Sequence, residues 1–131
     1  MMILNLTQNQ ATAEQLAAGV IDLPEDKRAA LVDALTVTTL PDRESIEARC
    51  DYIAELACQN GLSGDDEDDP HPKMAMIGGA PWMMRTLEQA LTGRAITPLY
   101  AFSVRESTER TMPDGTVQKI NVFRHAGFVG I

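Results

Sequence analysis

Positive charge is scarce in this sequence. Its 131 residues contain 11 lysines and arginines against 19 aspartates and glutamates, so the formal net charge is −8. Non-specific affinity for nucleic acid comes mostly from the neutralisation of phosphates, and this balance excludes broad electrostatic binding to DNA or long RNA. A small anionic ligand in a local pocket is still allowed.

Cysteines and long apolar runs are also scarce. Cys50 and Cys58 fall within a helical pattern, where their spacing turns them about 80° apart and too far along the axis to form a disulfide. We expect two reduced thiols in a cytoplasmic protein. No run approaches the roughly 20 apolar residues of a membrane span, and we expect neither a membrane segment nor a signal peptide.

The sequence does contain short apolar runs that alternate with helical segments. Residues 3–6, 74–77 and 99–102 predict buried strands, and a helix follows Gly78-Gly79 between the last two. This spacing predicts a βαβ unit with parallel strands. With 131 residues and 44% hydrophobic content, the chain is expected to form one three-layer α/β domain, residues 1–131, with a mostly parallel sheet.

Helix signals separate the first strands. Thr12-Ala13-Glu14-Gln15 matches a capping box, and Gly19 marks the end of that helix. Pro24 lies at the first turn of a second helix, and the longest predicted helix spans about residues 42–61. Residues 20–23 predict a brief additional strand.

The C-terminal third alternates polar and apolar residues around a turn. Residues 105–109 and 116–123 alternate, and Met112-Pro113-Asp114-Gly115 lies between them. This pattern predicts a β-hairpin that extends the strand from Tyr100. The hairpin could complete a sheet edge, cover a pocket or reach a second subunit, and the sequence does not distinguish these roles.

Residues 63–72 form an acidic segment of the sequence, in which five consecutive acids stand among residues typical of turns. Like charges repel, so the pattern predicts a solvated, flexible loop. A divalent metal site with His71 as a ligand is the alternative, but the spacing lacks the alternating ligands and central glycine of a calcium loop. We therefore assign no metal and no cofactor to the chain.

Polar residues and glycines follow three of the predicted strands. Ligands of open α/β sheets bind beyond the carboxyl ends of the strands, where loops and helix N-termini present backbone N–H groups. The candidate ligand-binding residues are Thr7, Gln8, Asn9, Gly78, Gly79, Trp82, Ser103 and Arg105.

Each candidate also has an ordinary structural explanation. The two glycines allow a tight strand-to-helix turn, and Asn9 is a common turn residue. Trp82 is explained by core or dimer packing as well as by stacking on adenine. Arg105 is explained by a surface ion pair as well as by phosphate binding.

Motifs near both ends of the chain carry a family resemblance. Pro98-Leu99-Tyr100-Ala101-Phe102-Ser103-Val104-Arg105 precedes Val117-Gln118-Lys119 and Phe123-Arg124-His125-Ala126-Gly127-Phe128, and Thr12-Ala13-Glu14-Gln15 follows a polar strand end. These motifs resemble those of the small CARF-like ring nucleases associated with type III CRISPR systems. The middle helices lie outside the resemblance.

The resemblance implies a Rossmann-like subunit that forms a homodimer and binds a cyclic oligoadenylate across the two-fold axis. The family reaction needs no metal, because a ribose 2′-hydroxyl attacks the adjacent phosphate. Catalytic roles are implied for His125 and Asn9. Since Asn9 stands where the family has a histidine, a noncatalytic nucleotide-binding sensor or interaction subunit of the same fold is the alternative.

Overall fold

The structure, a computed structural model, describes residues 2–60 and 73–130. Its elements in chain order are β1 (Ile3–Asn5), α1 (Ala13–Ala17), β2 (Val20–Asp22), α2 (Glu25–Leu35), α3 (Arg43–Gln59), β3 (Lys73–Met76), α4 (Pro81–Thr92), β4 (Ile96–Thr111) and β5 (Val117–Gly130). The predicted acidic loop and His71 lie outside the described residues. Within those residues, no helix combines the length and the apolar character needed to cross a membrane.

Five strands form one sheet in the order β2-β1-β3-β4-β5. β1 pairs in parallel with β2 and β3, and β3 pairs in parallel with β4. β5 returns antiparallel to β4. The prediction of an α/β fold with a mostly parallel sheet and a C-terminal hairpin is confirmed, and so is the brief strand at residues 20–23, which is observed as β2.

The core lies mainly on one face of this sheet. Successive side chains of a strand point to opposite faces, so Leu4 joins a large cluster with side chains of α2, α3 and α4, whereas Ile3 joins a small one. The small cluster consists of Ile3, Val20, Met76 and Leu99. α1 buries none of its residues and contacts β2 and β5 instead.

Local sequence signals explain how the helices begin. Thr12 accepts a hydrogen bond from the backbone of Gln15, whose side chain bonds back to Thr12, so the predicted capping box is confirmed. Asp42 caps α3, the longest helix of the described residues, through the Ser45 N–H. Pro24 occupies the N-cap position of α2 rather than its first turn. The expected end of α3 at Gly61 lies outside the described residues.

Cys50 and Cys58 on α3 are both thiols, as their helical spacing predicted. Cys50 is completely buried, and its Sγ lies 3.7 Å from the Met83 carbonyl oxygen of α4. The first cysteine is therefore a packing residue between two helices.

The hairpin of β4 and β5 continues well beyond the parallel strands. Its register shifts between Phe102 and Ser103, because Ala126 of β5 is left unpaired. The adjacent Gly127 has a φ of 142°. Further along, the Glu14 carboxylate of α1 accepts a hydrogen bond from the His125 backbone N–H at 3.1 Å and pairs with Arg124 at 3.9 Å. The hairpin thus leans from its own edge of the sheet toward α1.

Candidate functional site

A cleft of about 470 Å³ opens at the carboxyl ends of β1 and β3. The chain passes from β1 to β2 on one side and later enters β3 on the other side, so the strand order reverses here. Ligands of open α/β sheets bind at such switch points. We call it the switch-point cleft; its lining residues are Thr7, Gln8, Asn9, Gln10, Thr12, Gln15, Met76, Ile77, Gly78, Gly79, Tyr100 and Ala101.

The lining carries no charged side chain. Four of its residues are amides and two are threonines, so neutral donors and acceptors dominate its polar surface. Within residues 2–60 and 73–130, no three histidine, cysteine, aspartate or glutamate side chains are grouped to hold a metal ion.

The first loop of the cleft is built on the buried side chain of Asn5. Its Nδ2 donates to the Asn9 carbonyl at 2.8 Å and to Asp22 Oδ1 at 2.7 Å. Its Oδ1 accepts from the Thr7 N–H at 2.9 Å and from the Thr7 hydroxyl at 2.7 Å. An amide offers two donors and two acceptor lone pairs, and all four are used here. Asn5 therefore sets the path of residues 7–9.

Asp22 and Arg28 bind the backbone of the same loop. Asp22 lies beside Asn5 in the strand register, and its Oδ1 also accepts from the Ala11 N–H at 3.1 Å. Arg28 Nη2 donates to the Gln8 carbonyl at 3.2 Å, and Nη1 lies 3.8 Å from Asp22 Oδ1. Nη1 is buried with no hydrogen-bond acceptor among the described residues. The loop is thus anchored at Thr7, Gln8, Asn9 and Ala11.

The second loop of the cleft is the turn from β3 into α4. Gly79 has a φ of 156°, and a Cβ there would lie 3.3 Å from Met84 Cε. This backbone conformation favours glycine. The N–H groups of Gly78 and Gly79 have no acceptor among the described residues, and they lie just before the N-terminus of α4, whose first residue is Pro81. Such a turn suits an anion.

Tyr100 forms part of the wall beside these loops. Its hydroxyl donates to Glu88 Oε2 at 2.6 Å. Burial, this hydrogen bond and the charge of Glu88 together raise the pKa of Tyr100 to about 12. The phenol is therefore neutral at physiological pH, so it acts in the wall as a hydrogen-bonding and packing group.

The predicted hairpin residues lie beyond the cleft wall. Ser103 follows the lining residue Ala101 by two positions, about 7 Å along the strand, and pairs directly with His125. The His125 ring packs edge-on to Phe128 at 4.8 Å, and its buried Nδ1 has no hydrogen-bond partner among the described residues. Arg105 is exposed two pairs further out, opposite Phe123.

Trp82 lies in a different groove. This groove of about 310 Å³ is lined by Val37, Thr39, Leu40, Pro41, Ile46 and Trp82. The structure thus brings Thr7, Gln8, Asn9, Gly78 and Gly79 together, and it leaves Ser103, Arg105, His125 and Trp82 outside the lining.

Sequence reasoning did not select Asn5, Asp22 or Arg28. A signal exists for the first two, because each is a polar residue at or near the end of an apolar run, and buried polar groups need partners. Gln10 lines the cleft next to the predicted residues but was also not selected. No sequence pattern points to Arg28, because this residue of α2 comes close to Gln8 only when the chain is folded.

Comparison with known proteins gives a family. The sequence matches the family described as "Uncharacterized protein MJ1673 family" over residues 1–129. No curated protein and no solved structure matches the chain. Because the match covers nearly all of the 131 residues, the chain belongs to the uncharacterized protein MJ1673 family.

Proposed function

We propose that the switch-point cleft binds a cyclic oligoadenylate, and that the neighbouring hairpin residues cleave it. The observation that carries the proposal is the position of the cleft, where the loops after β1 and β3 meet beside the N-terminus of α4. The identity of the ligand comes from the sequence resemblance to CARF-like ring nucleases, since the family description names neither a ligand nor an activity.

The two loops offer different chemistry to such a ligand. Gly78 and Gly79 present backbone N–H groups beside a helix N-terminus, which is an arrangement that favours a phosphate. The amides and hydroxyls of residues 7–10 suit ribose and base edges, because they both donate and accept hydrogen bonds. A nucleotide fits this combination better than inorganic phosphate does.

The proposed cleavage uses the ligand's own hydroxyl. The ribose 2′-oxygen forms a bond to phosphorus, the bond from phosphorus to the 5′-oxygen breaks, and the hydroxyl proton passes to solvent. His125 donates a proton to the leaving 5′-oxygen; it pairs with Ser103, two positions beyond the lining residue Ala101. Positioning of the attack and stabilisation of the phosphate charge supply the rest.

Binding without cleavage is the second candidate function, and one observation favours it. The only titratable side chain in the lining belongs to Tyr100, and its pKa is raised to about 12. Asn9 stands in the first loop where the CARF-like ring nucleases that the sequence resembles have a histidine, and an amide does not titrate. On this reading, the chain is a noncatalytic nucleotide sensor or an interaction subunit.

The deciding experiment incubates the protein with labelled cyclic tri-, tetra- and hexa-adenylate, with and without EDTA, and measures binding and products. We expect micromolar or tighter binding of one ring size and a linear product ending in a cyclic phosphate, both insensitive to EDTA. Tight binding without a linear product supports the sensor. Absence of binding to all three rings overturns both functions.

Two variants separate binding from chemistry. His125→Ala is expected to leave affinity nearly intact and to lower the single-turnover rate by on the order of 10²-fold. Arg105→Ala is expected to weaken binding by roughly 1.5–3 kcal/mol, the range for a hydrogen bond to a charged group. Arg110→Ala, an exposed arginine further along the same strand, is the matched control. Equal effects of the two arginine variants would remove Arg105 from the site.

A further inference from the structure

The side chains of Asn9 and Gln10 differ from the other amides of the switch-point cleft. Gln8 Nε2 lies 3.5 Å from the Leu35 carbonyl oxygen, and Gln15 Oε1 accepts the Thr12 N–H at 3.0 Å. The side chains of Asn9 and Gln10 have no hydrogen-bond partner among the described residues, and both are exposed residues of the cleft lining. Two amides are therefore available to a ligand.

The backbone that carries these two amides is held from both sides. The Asn9 carbonyl accepts from the buried Asn5 amide at 2.8 Å. On one flank Arg28 donates to the Gln8 carbonyl, and on the other the Ala11 N–H donates to Asp22. Buried and partly buried partners thus fix the loop before a ligand arrives, which lowers the entropy cost of binding.

An amide suits one kind of ligand edge in particular. It presents a donor and an acceptor side by side, so it makes two parallel hydrogen bonds to the 6-amino group of adenine and the neighbouring ring nitrogen. A phosphate offers only acceptors and is bound most strongly by cationic groups, which the lining lacks. The amide wall therefore matches the base of a nucleotide better than its phosphate.

We infer that Asn9 and Gln10 are the residues that select adenine, by bonding the 6-amino group and the adjacent ring nitrogen of the base. This inference rests on the proposed function, since it assumes that a nucleotide occupies the cleft. It also assigns the two parts of the nucleotide to different parts of the cleft: the base lies against residues 9 and 10, and the phosphate lies toward Gly78 and Gly79.

The test compares cyclic tetra-adenylate with the same ring in which every adenine is replaced by unsubstituted purine. The two rings share size, stacking surface, ribose and phosphates, but the analogue lacks the 6-amino donor. We expect the wild-type protein to bind the adenylate ring at least about fivefold more tightly, in keeping with the loss of one or more neutral hydrogen bonds.

Asn9→Leu and Gln10→Leu keep the backbone hydrogen bonds of the loop and remove only the amides. Each is expected to lower the affinity for the adenylate ring more than the affinity for the purine ring, which keeps the adjacent ring nitrogen but lacks the 6-amino group. The preference for adenylate over purine therefore falls toward one. Gln89→Leu, an exposed amide on α4 outside the cleft, is expected to keep the wild-type preference. Thermal unfolding of each variant reports whether the protein has kept its fold.

The possible outcomes distinguish a failure of this inference from a failure of the proposed nucleotide-binding function. If neither ring binds, the proposed function fails and the inference fails with it. If both rings bind the wild-type protein equally, the function stands and base selection by these amides is wrong. The inference is equally overturned if the two variants lose affinity for both rings in the same proportion.

Discussion

At the scale of single residues, a few buried polar side chains shape the candidate site. Asn5 is fully buried and uses all four of its hydrogen-bonding positions, two of them on the backbone and hydroxyl of Thr7. A buried amide is costly unless it is satisfied, and satisfying it here determines where the loop runs. Arg28 extends this network to the Gln8 carbonyl.

Arg28→Met is expected to destabilise the protein by roughly 1.5–3 kcal/mol, because it removes a charged donor from a mostly buried position. The side chain of Arg28 is 13% exposed, whereas that of Arg43, which pairs with Glu47, is 93% exposed. Arg43→Met is the control and is expected to change stability little. Urea unfolding of both variants measures the difference, and equal stabilities would show that Arg28 does not anchor the loop.

Cys50 supplies a prediction about pH. Its burial, and secondarily the charge of Asp51, raise the pKa of the thiol from 9.0 to about 11. Below pH 9 the thiol is protonated in both the folded and the unfolded chain, so its contribution to stability is complete. As the pH rises from 9.0 through about 11, the unfolded chain loses the proton first, and stability falls.

Unfolding free energies measured between pH 8 and 10.5 test this sign. Cys50→Ala is expected to show a shallower alkaline decline than the wild-type protein, whatever its stability at pH 8. Parallel curves for the wild-type and Cys50→Ala proteins would contradict the prediction.

At the scale of elements, the turn from β3 into α4 joins the core to the candidate site. Gly78 and Gly79 are neighbours in sequence but differ in what they require. A Cβ on Gly78 would lie 3.6 Å from Thr7 Cγ2, an ordinary contact, whereas Gly79 combines a φ of 156° with a 3.3 Å approach to Met84 Cε. Of these two residues, only Gly79 has a backbone conformation that requires glycine.

Gly79→Ala is expected to lower stability by about 1 kcal/mol or more, because alanine strains this backbone conformation. Gly78→Ala is expected to stay close to the wild-type protein. Thermal melts of the pair test the difference, and the same two proteins show in ligand titrations whether the turn must also keep its shape for binding. If Gly78→Ala is the more damaging variant, this description of the turn is wrong.

At the scale of the whole molecule, the hairpin exposes several apolar side chains to solvent. Phe102, Val104 and Phe123 are 53%, 39% and 71% exposed on it. Phe102 and Val104 share one face of the hairpin, whereas Phe123, which pairs with Arg105, lies on the other face. A two-stranded hairpin in water is only marginally stable by itself, and exposed apolar side chains on both faces favour contact with a second chain. A symmetric ring ligand also suits an interface in which two copies use the same patch.

We therefore predict a two-fold dimer that buries the hairpin. Light scattering at micromolar concentration is expected to give twice the chain mass of 14.3 kDa. Phe123→Ser is expected to shift the protein toward the monomer. Leu40→Ser, at a residue that is 98% exposed in the groove beside Trp82, is expected to leave the mass unchanged. A wild-type monomer with and without cyclic tetra-adenylate would count heavily against the ring-nuclease function.

Much of the architecture follows from the sequence alone, because it depends on local patterns. The alternation of apolar runs and capped helices predicts the parallel strands, the capping box at Thr12 and the hairpin turn at residues 113–115. The rule that ligands bind at strand ends also predicts the loops at residues 7–9 and 78–79, which line one cleft.

Only the tertiary structure decides which strand ends become neighbours and what holds them there. The order β2-β1-β3-β4-β5 puts β1 beside β3 and Asp22 beside Asn5, and it places the hairpin residues Ser103, Arg105 and His125 outside the lining. The contact of Arg28 with Gln8 spans 20 positions of the chain. Periodicity, capping and turn preferences act within a few residues, whereas strand order and buried hydrogen bonds depend on the packing of the whole chain. The sequence therefore determined the elements and their loops, and packing determined how those loops form a site.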